Sequence, residues 1–120
     1  MPAETSDLKE PVLAGHSFTV NIDTGLIAVQ EYSADGLKVT LTVLRAGRSG
    51  VPEGPCGTVD AFVRRLHHGV YHVGWVEANG VLICNVQDLV AGTVSNLVSK
   101  PGTNGDRTAE MHTGTIRRTM

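Results

Sequence analysis

"GVYHVGWVEANGVLICNVQD", residues 69–88, decides the fold. Two runs rich in β-branched and aromatic residues flank the turn signal Ala78-Asn79-Gly80, which is the pattern of a β-hairpin rather than a helix. If a two-residue Asn79-Gly80 loop closes it, directly opposed residues share a face: Glu77 with Leu82, Trp75 with Cys84, Val73 with Val86. One face then reads Tyr71, Val73, Trp75, Glu77, Leu82, Cys84, Val86 and Asp88. The other reads Val70, His72, Gly74, Val76, Val81, Ile83, Asn85 and Gln87. The first face is larger and more aromatic, so it is expected inside, with Glu77 turned inward beside the lone tryptophan. A longer loop would slip the register and reverse one strand.

The same punctuation recurs along the chain. "HSFTVNI" (16–22), "LIAVQEY" (26–32), "LKVTLTVLR" (37–45), "TVDAFVRRL" (58–66), "TVSNLVS" (93–99) and "TAEMHTGTI" (108–116) join the two central runs, and Gly with Asp or Asn marks most breaks. No amphipathic helix is evident. Eight short strands joined mostly by tight turns predict an all-β, eight-stranded antiparallel up-and-down barrel, because closure removes exposed edges. A β-sandwich is the competing architecture. Residues 1–12 read as a flexible N-terminal arm and 13–120 as a single barrel domain.

Turn lengths set the first three strands. A three-residue Asp23-Thr24-Gly25 loop places Ile22, Val20 and Phe18 opposite Leu26, Ala28 and Gln30. An Asp35-Gly36 loop places Tyr32, Gln30 and Ala28 opposite Val39, Leu41 and Val43. The resulting face, from His16 to Arg45, is apolar in the middle and polar at its ends, as a small barrel with a lined mouth requires. In the fourth strand a three-residue "HHG" loop sends Val59, Ala61 and Val63 inward, whereas a two-residue loop would set Asp60 opposite Glu77. The long "AGRSGVPEGPCG" (46–57) is expected as a loop able to cover the mouth.

With 120 residues, 41% of them apolar, the chain can bury one core. Ten basic against twelve acidic residues, scattered, give a net charge of −2 and no basic stripe, so neither nucleic acid nor membrane is expected as a partner. There is no long apolar run and no signal-peptide pattern, which predicts a cytoplasmic protein. Cys56 and Cys84 lack metal-like spacing and read as free thiols. The five histidines include no zinc-like cluster, so no metal is expected.

Glu77 is the leading catalytic candidate, since a carboxyl group held among Trp, Leu and Cys can act as a general acid or base. Trp75 and Tyr71 could stack on a flat ligand, though large aromatics in a β core more often only pack. His16 and Tyr32, opposed near a rim, could bond a ligand or simply be solvated; His112 could face either way. Val76, Val81 and Ile83, expected outward, suggest a homodimer surface.

"VDAFVRRLHHGVYHVGWVEANG" (59–80) followed by "VLICNVQDLVAGTV" (81–94) resembles the MoaF-like branch of the lipocalin-like barrels. It is also similar to the phenolic acid decarboxylases of that superfamily, through a shared Gly-Val-Tyr, Trp and Glu hairpin. The resemblance implies a lipocalin-like barrel and an acid/base role for Glu77. The decarboxylases' paired first-strand tyrosines would fall near Phe18 and Val20, which have no hydroxyl, and their arginine near Arg48. Two functions follow as expectations. One is a cofactor-independent lyase, isomerase or cyclase acting on a small aromatic or polyketide-like substrate. The other is a non-catalytic small-molecule binder in which Glu77 only orients the ligand.

Overall fold

The computed structural model describes residues 10–119. Nine strands form one antiparallel sheet: β1 (Ser17–Ile22), β2 (Ile27–Tyr32), β3 (Lys38–Arg45), β4 (Gly54–Asp60), β5 (Phe62–His67), β6 (Val70–Val76), β7 (Leu82–Asp88), β8 (Thr93–Pro101) and β9 (Arg107–Arg118). The only helical element among the described residues is a 3-10 turn at Thr103–Gly105. The sheet order is β4-β3-β2-β1-β9-β8-β7-β6-β5, so every strand except β4 neighbours the next in sequence, and β1 meets β9. The ends of the sheet, β4 and β5, are successive halves of one strand bent at Ala61. The chain itself therefore curls the sheet into an up-and-down barrel.

That bend explains why nine strands appear where eight are expected. β4 pairs with β3, and after Ala61 the chain changes partner to β6. Ala61 still donates its N–H to the Leu37 carbonyl at 2.9 Å while its side chain is buried. β4 also begins earlier than expected, inside "GPCG", which shortens the predicted loop. An edge strand tolerates Pro55, whose nitrogen has no hydrogen to donate. Gly57, at φ 94°, carries a bulge that shifts the β3 register between Leu41 and Thr42.

The registers of β1 to β3 agree with the turn-length argument. Val20 faces Ala28, Phe18 faces Gln30, Tyr32 faces Val39, and Gln30 faces Leu41. Gly25, at φ 90°, closes the first turn by donating to the Ile22 carbonyl. Val59 faces Val39 and packs on the core as expected, whereas Val63, though opposite Val73, stands exposed on the edge strand; Asp60 lies outside, paired with Lys38.

The central hairpin departs from expectation by one residue. Trp75 faces Ile83, Val73 faces Asn85, and Tyr71 faces Gln87. The cause lies in the turn. A two-residue type I′ loop needs φ > 0 at both central positions. Gly80 has it (φ 88°), but Asn79 does not and instead accepts a bond from the Val81 N–H at 3.1 Å. Ala78-Asn79-Gly80 thus forms a three-residue loop, with Glu77 donating to the Val81 carbonyl and Gly80 to the Glu77 carbonyl. Tyr71, Val73 and Trp75 stay inside, while Leu82, Cys84 and Val86 move outside and Ile83, Asn85 and Gln87 move in. The expected partner surface changes too: Ile83 is buried and Val81 packs on the core, so only Val76 of that trio stands exposed.

Of the expected N-terminal arm, residues 1–9 lie outside the described residues. Glu10 sits against the barrel, accepting from Arg65 Nε at 2.6 Å and Nη2 at 3.0 Å and from the Gly69 N–H at 3.1 Å. Leu13 is buried in the core at that end.

Candidate functional site

Up-and-down topology sorts the turns into two ends. The β1–β2, β3–β4, β6–β7 and β8–β9 connections share one end; the β2–β3, β5–β6 and β7–β8 turns and the N-terminal segment share the other. Between them the inner face is apolar, with one polar exception.

The one-residue slip turns Asn85 and Gln87 of β7 inward. Gln87 is fully enclosed at 0% exposure, level with Val39 and Val73. Its amide reaches across the barrel to β2. Nε2 lies 3.0 Å from Gln30 Oε1, 3.2 Å from the Tyr32 hydroxyl and 3.0 Å from Asn85 Oδ1. Tyr32 in turn donates to Gln30 Oε1 at 2.9 Å and sets its ring edge-on to Phe18, centroids 6.1 Å apart. Asn85 faces Asn96 across the β7–β8 ladder, and Asn96 faces His112 across β8–β9. A neutral polar band therefore runs from the centre of the barrel toward one end.

The band is incompletely satisfied. Gln87 Oε1 and Asn96 Oδ1 are buried and have no hydrogen-bond partner among the described residues. Each such acceptor costs about 1–3 kcal/mol when nothing bonds it. No ionised group belongs to the centre of the band. Burial pushes the Tyr32 phenol well above its ordinary range, with the Gln87 bond opposing, so it stays a neutral donor at physiological pH.

At the rim the band meets a charged cluster. His112 Nδ1 lies 2.8 Å from Asp23 Oδ1 and its Nε2 2.9 Å from Glu110 Oε1. The bond to Glu110 is the larger cause that raises the imidazole pKa, and Asp23 adds to it. Asp23 is held below the usual carboxylate range, first by the Thr113 N–H and then by His112. Arg48 donates from Nη2 to the Asp23 carbonyl at 3.0 Å.

The expected site residues do not gather in one place. Trp75 is buried at 4% exposure and donates its indole N–H to Glu77 Oε2 at 3.2 Å. Glu77 is half-buried at a strand end opposite Val81, not enclosed beside Leu82 and Cys84. Arg48 and His112 share that end. Tyr71 lies at the other end, its hydroxyl 3.5 Å from the Pro11 carbonyl, and His16 is half-buried there, its backbone carbonyl bonded by the Tyr32 N–H. Phe18 and Tyr32 alone belong to the central band. Asn85, Gln87 and Asn96 were not legible as site residues, because a polar residue in an alternating strand reads as outward.

A separate concavity lies on the outer face. An open groove of about 780 Å³ follows two outward rows across β1, β9, β8 and β7, lined by Asn21, Thr115, Thr113, Ser95 and Val86 among others. No cluster of three or more His, Cys, Asp or Glu able to hold a metal occurs among the described residues. None of their helices is long and apolar enough to cross a membrane.

Fold and interior together define a small antiparallel barrel of the lipocalin-like kind with a buried neutral polar band. The chain belongs to the MoaF-like family, whose profile matches residues 14–117. Among solved structures it is similar to a protein from Burkholderia vietnamiensis titled a "putative beta-lactamase". The TM-score is 0.75 at 24% identity, over 92% of this chain and 99% of that one. At that identity the likeness concerns the fold. No curated protein matches the chain.

Proposed function

We propose that the barrel binds a small, neutral organic molecule in its interior, held by Gln87 and Asn96, and that the protein acts through recognition rather than catalysis. The observation that carries this is the enclosed Gln87, whose amide nitrogen is oversupplied with acceptors while its carbonyl has no donor. Natural cores rarely keep such an atom unpaired, and when they do a bound molecule or function commonly accounts for it. Two open acceptors ask for a ligand with N–H or O–H donors, and the phenyl and aliphatic walls (Phe18, Val39, Val73) ask for a flat or apolar body. A carboxylate ligand would be disfavoured, since it would face two carbonyl oxygens with no buried cation in the band.

Titration of the full chain with benzamide, phenol, catechol and benzoate, followed by Trp75 emission and calorimetry, tests the proposal. Donor-bearing probes should bind at least tenfold more tightly than benzoate, and Gln87→Leu should abolish the preference. Equal binding of benzoate, or no binding by any probe, would remove the reading.

A second reading keeps Glu77 as a general acid or base, because its carboxylate is oriented by the Trp75 indole N–H at the same end as His112. On that reading Glu77→Gln lowers turnover by 10²–10⁴-fold without loss of affinity; the resemblance to lyase barrels, more than the geometry, supports it.

A further inference from the structure

The register slip that brings Gln87 inside also carries Cys84 outside, where it meets a histidine. Cys84 Sγ lies 3.0 Å from His72 Nε2, on the outer face of the neighbouring strand. The residue directly across from Cys84 on β6 is Gly74. A Cβ placed there would find only the Ile83 carbonyl oxygen, at 3.4 Å, so the space above Gly74 is open. Phe62 stands on the far side of that space, opposite Gly74 on β5, and is 68% exposed. Arg64 faces His72 from β5, and Val86 faces it from β7, where it lines the open outer groove. A thiol and an imidazole in contact, with an aromatic residue two strands away, thus flank the open space above a glycine.

We propose that Cys84 is a nucleophilic site that captures soft α,β-unsaturated carbonyl compounds with an apolar or aromatic body, and that His72 is its proton acceptor. The body lies over Gly74 against Phe62, which brings the β-carbon to the sulfur. Sγ forms a bond to that carbon as the thiol proton passes to His72 Nε2. The alkene electron pair moves toward the carbonyl as an enolate, and the imidazolium returns the proton to its α-carbon. The sum is an addition: nothing leaves, and no oxidant or cofactor is consumed. The other thiol, Cys56, is exposed, yet its Sγ is 3.4 Å from the Gly54 carbonyl oxygen, with no imidazole among its hydrogen-bond partners. It serves as an internal control.

The test is modification of the full chain by N-ethylmaleimide and N-phenylmaleimide, with each cysteine followed by peptide mass spectrometry. Cys84 should react at least tenfold faster than Cys56 despite its lower exposure, and faster with the phenyl reagent. His72→Gln should lower the Cys84 rate about tenfold and leave Cys56 unchanged, while Phe62→Ala should erase the preference for the phenyl reagent. The proposal is overturned if Cys84 reacts no faster than Cys56, including the case where a partner chain covers this face. It is equally overturned if His72→Gln, with native tryptophan emission, leaves the Cys84 rate unaltered. Should that variant not fold, the comparison of the two thiols in the unmodified sequence decides.

Discussion

Gln87→Leu separates a residue kept for binding from one kept for stability. Among the described residues Gln87 Nε2 is the one donor that reaches Asn85 Oδ1, and it shares Gln30 Oε1 with the Tyr32 hydroxyl. Leucine leaves Asn85 Oδ1 short of a partner, at about 1–3 kcal/mol. The same change removes Gln87 Oε1, whose unpaired burial already costs a similar amount in the free protein. The two terms oppose, so the net change should fall within about 1 kcal/mol of zero, although Gln87 is wholly buried. Val73→Ala, equally buried on the neighbouring strand β6, removes only packing and should cost about 2 kcal/mol. Urea unfolding followed by Trp75 emission measures both. With a slope of about 1–3 kcal/mol per molar, the Gln87→Leu midpoint should move by less than about 1 M. A loss above about 3 kcal/mol with probe binding intact would refute the reasoning and make the band a structural brace.

Because Glu110 and Asp23 raise the His112 pKa, their contribution to stability is complete below about pH 6.5 and is lost as pH rises through the folded value. Histidine titration by NMR should place the His112 midpoint above 6.5, and Asp23→Asn should lower it. Glu10, whose pKa is held down to about 2 chiefly by Arg65, contributes stability above its unfolded value, lost only as pH falls toward 2. Glu10→Gln should therefore speed proteolytic cleavage near Pro11 at pH 7, and unchanged cleavage would mean that the ion pair does not hold this segment. A Cβ at Gly114 would collide with the Asn21 carbonyl oxygen. Gly114→Ala should thus force β9 from β1 and cost about 3 kcal/mol, read as a lowered Tm; a Tm within a degree or two of the original would show that the strands move apart freely.

What the sequence revealed depended on where glycine fixes a turn. Gly25 sets the β1–β2 register unambiguously, and the inner faces of β1 to β3 follow from it. At the central hairpin the outcome hangs on the sign of one φ angle, that of Asn79. Asparagine adopts either sign readily, so Asn-Gly and Ala-Asn-Gly loops compete on equal terms. Tyr71, Val73 and Trp75 were legible as core because their strand keeps its orientation in both registers. Gln87 and Asn85 were not, since alternation assigns polar residues to solvent and nothing local reveals that Gln30 and Tyr32 wait across the barrel. The bend at Ala61 was equally hidden: Pro55 and Gly57 read as loop, and only pairing to β3 makes that segment a strand.

The most direct test of interior recognition is a crystal structure of the full chain soaked with benzamide. Interior recognition requires a bound molecule, with donors within hydrogen-bond distance of Gln87 Oε1 and Asn96 Oδ1 and its ring against Phe18 and Val73. An interior in which both carbonyls are bonded by protein donors, with no molecule between them, would contradict it.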